Sequence, residues 1–159
     1  MNYLENILKF KENSQWEDAQ KLILEVLEQE QNSEVYFHAG DIHEKLEMFP
    51  QAITYYKQAL EEAENLDLRE EILLSLGRSY RSVGLYDLAV ETLEIGMSEF
   101  PTNNKMSVYF AMALYNQGDP DLAMEIIIQK LLETTQDQSL KEEQELIEFY
   151  ASCLDETFS

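Results

Sequence analysis

The densest run of chemistry-bearing residues is His38-Ala39-Gly40-Asp41-Ile42-His43-Glu44, which places four side chains able to ligate a metal or move a proton within seven residues. A zinc helix presents its two histidines at i and i+4, on one face. His38 and His43 are five apart and diverge by about 140° around a helix at 100° per residue. The run therefore predicts no metal site, and His43 reads as a packing residue. The second concentration is of arginine: the chain has only Arg69, Arg78 and Arg81, with Arg78 and Arg81 at i,i+3 on one helical face. The pair can act as a bidentate socket for a partner's carboxylate. It can also neutralise acids such as Asp41, Glu44 and Glu71, and this second role carries more weight because interior charges are normally paired. Gly-rich phosphate loops, nucleophile elbows and Cys/His pairings are missing from the sequence. Among 32 carboxylates, chance acid/base pairs are unavoidable, so no enzyme, cofactor or metal is expected.

Positioning these side chains requires a folded scaffold. The 159 residues include 45% hydrophobic ones, too many for a disordered acidic tail, and the length suits a single domain over 1–159. Eleven Lys and Arg against 32 Asp and Glu give a net charge of −21, which repels phosphate backbones and anionic lipid headgroups. Nucleic acid and membrane are thus excluded as expected partners; a protein or peptide with basic and apolar residues fits better. The lone Cys153 cannot form an intramolecular disulfide. With no apolar leader in residues 1–12 and no apolar run of about 18, a cytoplasmic location is expected.

Apolar residues recur at helical spacing, punctuated by Gly84, Pro101 and Gly118, so the fold class is all-α. Gly40, Gly77 and Ala111 form one column of small residues, and Ala52, Ala89 and Ala123 a second, with repeat shifts of 37 and then 34 residues. Small residues at both columns let the two helices of a repeat approach closely. Four helix pairs follow, at about 1–32, 33–69, 70–103 and 104–137, and a capping helix at about 139–156.

The best copy, Leu73, Leu76, Gly77, Tyr80, Ala89, Leu93 and Pro101, resembles the tetratricopeptide repeat (TPR), with leucine in place of Trp and of Phe. Leu76-Gly77-Arg78-Ser79-Tyr80-Arg81, followed by Gly84 and closed by Phe100-Pro101, is similar to the small uncharacterised TPR proteins of Gram-positive bacteria. That resemblance implies a right-handed α-α superhelix, no catalytic activity and a homodimer.

The first helix of each repeat lines the concave face of such a solenoid. The expected partner-binding groove comprises Phe37, Asp41, Glu44, Arg78, Arg81, Met112 and Tyr115, with acids for basic residues and apolar positions as anchors. The Lys and Asn clamp of TPR domains that grip a C-terminal carboxylate is absent from these positions. A candidate dimer surface combines Ile128 and Leu132 with Leu146, Phe149, Tyr150 and Cys153. The expected function is a protein-interaction module; a small acidic TPR chaperone and a peptide- or ligand-sensing regulatory subunit are the alternatives.

Overall fold

The computed structural model describes residues 2–159, which form ten α-helices and no strand. They are α1 Tyr3–Glu12, α2 Trp16–Leu27, α3 Ser33–Lys45, α4 Phe49–Glu61, α5 Leu66–Ser82, α6 Tyr86–Glu99, α7 Asn104–Gln117, α8 Pro120–Thr134, α9 Gln138–Glu142 and α10 Gln144–Ala151. An asparagine opens each of the odd-numbered helices from α1 to α7. The side chains of Asn2, Asn32, Asn65 and Asn103 each accept a hydrogen bond from the backbone N–H three residues on, at 3.4, 3.0, 3.1 and 3.0 Å. Each bond satisfies a donor that the helix itself leaves unpaired. Pro50 and Pro120 lie in the first turns of α4 and α8, where a missing N–H is harmless.

One backbone position recurs between the two helices of every repeat. Ser14, Glu47, Gly84 and Gly118 all have positive φ, at 55°, 58°, 79° and 101°. Glycine adopts this left-handed conformation freely, whereas a residue with a side chain gives up about 1–2 kcal/mol. In the first two repeats the turn is therefore imposed by the packing of its helices.

The helices cluster as two compact units, one ending at Leu85 and the other beginning at Tyr86. In a repeat array each element touches mainly its neighbours, so such a division needs no linker. In the first unit, consecutive helices from α1 to α5 pack on one another. Ile7, Ala19, Ile23, Val26, Ala39 and Ile42 form one core cluster. Gly40 lies against Tyr56 so closely that a Cβ there would stand 2.5 Å from the ring. In the second unit, α7 packs on α6 and α8, and α8 also meets α10.

The helix expected over 139–156 is two helices, broken at Glu143, and helix ends at Ala151. Between Leu140 and Leu146 no apolar residue is available to anchor a continuous helix. At the far end Ser152 Oγ and Cys153 Sγ both donate to the Phe149 carbonyl, at 2.7 and 3.2 Å. Such local side-chain bonds compete with further helix. Among the described residues no helix is long and apolar enough to cross a membrane.

Candidate functional site

Phe37, Asp41 and Glu44 recur every three or four residues on α3, which places them on one face. The two acids are already committed inside the first unit. Glu44 accepts from Arg78 Nε and Nη2 at 2.6 and 3.0 Å and from the Tyr56 hydroxyl at 2.7 Å. The Glu44 side chain is only 11% exposed and that of Arg78 29%. This is a two-pronged guanidinium–carboxylate pair of the strong kind. Burial first, and then the Glu44 carboxylate, push the Tyr56 phenol well above its ordinary pKa.

Asp41 pairs with Lys11 at 2.7 Å. The same ammonium stands 3.2 Å from His38 Nδ1, which must accept from it. Burial, followed by the nearby Lys11 charge, lowers the His38 pKa to about 4, so the ring is neutral at pH 7. Phe37 packs its ring on both His38 and Tyr56, with centroids 5.6 and 6.0 Å away.

One expectation changes: Asp41 and Glu44 are ion-paired within the chain rather than held out for a basic partner. The Arg78 fork is occupied by Glu44, as the neutralising role favoured for the arginines implies. Arg81, in the last turn of α5, is half-buried. His43 is the packing residue its position implies: it is buried, its Nδ1 donates to the Ala39 carbonyl at 2.7 Å, and its Nε2 lies 3.2 Å from Gln20 Nε2. Among the described residues no group of three or more His, Cys, Asp or Glu is placed to hold a metal ion.

The first helix of the fourth repeat, in the second unit, differs. On α7, Val108, Met112 and Tyr115 lie at i, i+4 and i+7 and are 38%, 38% and 66% exposed. They form an uncharged stripe. Farther along, Leu132 is buried and Ile128 half-buried, the latter lining a cleft of about 250 Å³ with Glu125, Gln129, Glu148 and Ala151. The contact of α8 with α10 covers this side, which removes Leu132 from the expected dimer surface. Leu146, Phe149 and Tyr150 are exposed, and Cys153 is half-buried.

Tetratricopeptide-repeat profiles match residues 33–66 and 74–139, together more than half of the chain. The chain belongs to the tetratricopeptide-repeat family. Among solved structures it is similar to YrrB, described as a TPR protein with an unusual peptide-binding site, at a TM-score of 0.75 and 17% identity, covering 91% of this chain and 73% of that one. It is similar also to MamA, at a TM-score of 0.74 and 17% identity over 90% of this chain and 74% of the other. A second MamA structure, of MSR-1, gives 0.71 and 18%, over 96% and 89%. No curated protein matches it in sequence. At these identities the likeness is one of fold.

TPR proteins are in general protein-interaction modules, and this TPR chain carries the repeat's paired helices with its small-residue columns buried: Gly40 and Ala111 in one, Ala52, Ala89 and Ala123 in the other. Sequence reading missed Lys11, His38 and Tyr56 as members of the polar cluster on α3. Lys11 lies in the N-terminal copy, where the repeat pattern is faintest, so no register pointed it at Asp41.

Proposed function

We propose that this TPR chain is a non-enzymatic interaction module that holds a segment of a partner protein on the first-helix face of its repeats. Met112 and Tyr115 on the second unit supply its apolar anchor, while on the first unit Asp41 is held by Lys11 and Glu44 by Arg78 and Tyr56. The observation that carries the reading is the contrast between the two. The polar groups of α3 and α5 hold one another in a fixed arrangement, whereas the α7 stripe leaves apolar surface unspent. Exposed apolar positions on an otherwise acidic helix array suit an apolar anchor residue of a peptide, with basic residues beside it drawn by the −21 charge. Peptide binding by the structurally similar YrrB supports a peptide as the ligand class.

Affinity capture from a lysate of the source organism, comparing wild type with a Met112→Glu/Tyr115→Ala variant, tests the proposal. The expected result is a partner retained by wild type and lost by the variant at unchanged melting temperature. The same partner retained equally by both would sink the assignment.

A further inference from the structure

The repeat register shows what α8 lacks. Aligned on Ala52, Ala89 and Ala123, the position four residues on is Tyr56 in α4, Leu93 in α6 and Ile127 in α8. Tyr56 and Leu93 are fully buried, and Ile127 is 37% exposed. The neighbours one and eight residues after the alanine behave alike. Ile53 and Leu60 in α4, and Val90 and Met97 in α6, are half-buried, whereas Met124 and Leu131 are 50% and 49% exposed. The helix that follows covers this face in the earlier repeats: α5 packs on α4, and α7 on α6. After α8 the next full helix, α10, packs over the columns of Ile128 and Leu132 instead, which are Lys57, Glu61, Glu94 and Ser98 in the other repeats, all exposed. Met124, Ile127 and Leu131 are thus a helix-accepting face left without its helix.

The same unit carries an uncovered helix face. Leu146, Phe149 and Tyr150 on α10 are each about half exposed, and Phe158 folds back onto the two aromatics at centroid distances of 5.8 and 6.0 Å. We infer that two copies of this chain pair about a two-fold axis, the α10 face of each seated on the Met124, Ile127 and Leu131 stripe of the other. Reciprocal seating satisfies both faces of both copies at once and closes the assembly, as an isologous contact must. These seven side chains, at about half exposure, present on the order of 700 Å² per copy, close to the ~800 Å² per partner of a stable interface. The stripe itself carries no charge; the charge of −21 on each copy acts against association from a distance, so added salt favours the dimer.

Sedimentation velocity on the full chain at micromolar concentrations and increasing sodium chloride is the test. The expected species is twice 18.6 kDa, with a dissociation constant that falls as salt rises. Leu131→Glu and Phe149→Glu should each weaken it about a hundredfold, as a carboxylate driven into an apolar contact does, with the circular dichroism of the folded chain retained. An equimolar mixture of the two variants should recover dimer, because one of its two contacts is then wild type. Leu131→Gln covers the case in which Leu131→Glu does not fold. A monomer throughout, a ladder of larger assemblies, or a dimer indifferent to all three substitutions overturns the inference.

Discussion

Helices α3 and α7 hold the same place in their repeats, and Phe37, Asp41 and Glu44 of one correspond to Val108, Met112 and Tyr115 of the other. On α3 the positions are spent on the chain's own stability: a carboxylate against an arginine and a tyrosine, another against a lysine. On α7 they are apolar and open. A repeat position thus fixes where a side chain stands, while its neighbours decide whether it remains available for a partner.

The sharpest difference lies in the small-residue contacts beneath these faces. A Cβ on Gly40 would meet the Tyr56 ring carbons at 2.5 Å, and Tyr56 is fully buried with its hydroxyl tied to Glu44, so neither can yield. Gly40→Ala should cost about 3 kcal/mol in urea unfolding. A Cβ on Gly96, in the second unit, would stand 2.7 Å from the flexible end of Met106, which is itself fully buried. A thioether can turn aside, and alanine's better helix propensity offsets part of the crowding, so Gly96→Ala should cost under about 1 kcal/mol. Equal costs would show that the Tyr56 contact is no tighter than the methionine one.

Next in size is the ion pair. Arg78→Ala strands a mostly buried Glu44 carboxylate and should lower stability by about 2 kcal/mol. Adding Glu44→Gln, which removes the charge but still accepts from Tyr56, should recover part of it. An unchanged melting temperature in Arg78→Ala would show that the pair contributes nothing net to stability.

The repeats were legible in the sequence because small residues recur at fixed spacing and nothing else fits where helices cross. The pairing of Arg78 with Glu44 was foreseeable too, since a repeat of 37 puts Arg78 in register with Asp41 and one helical turn brings Glu44 within reach. Other features left fainter marks. The Asn2, Asn32, Asn65 and Asn103 caps form a column whose spacing drifts with loop length, so the repeat period hid it. Glu47 and Ser14 occupy a left-handed turn with residues that do not announce one. Which side of α8 the terminal helix would cover was settled by where the chain turned at Glu143, and no single residue encodes that.

A pH-dependent effect tests the Lys11, Asp41 and His38 cluster. His38 has its pKa lowered from 6.5 to about 4 on folding, so only the unfolded chain takes up its proton between those values. Its contribution is complete above pH 6.5 and is lost as the pH falls from there toward 4, a change of at most about 3 kcal/mol. Thermal melts across that window should fall less steeply in His38→Gln than in wild type, and parallel curves would remove His38 from the cluster's energetics.

The smallest expected change closes the comparison of α3 with α7. Tyr115 corresponds to Glu44, but it is two-thirds exposed and its ring makes no aromatic stack among the described residues. Tyr115→Ala removes little buried area and should change stability by less than about 0.5 kcal/mol, the usual range for an exposed site. Glu44→Ala, at the same repeat position, leaves the partly buried Arg78 without its carboxylate and should cost about 2 kcal/mol. Urea titrations of the two variants side by side decide the matter. A loss in Tyr115→Ala comparable to that in Glu44→Ala would place Tyr115 in the scaffold and take the α7 stripe out of partner binding.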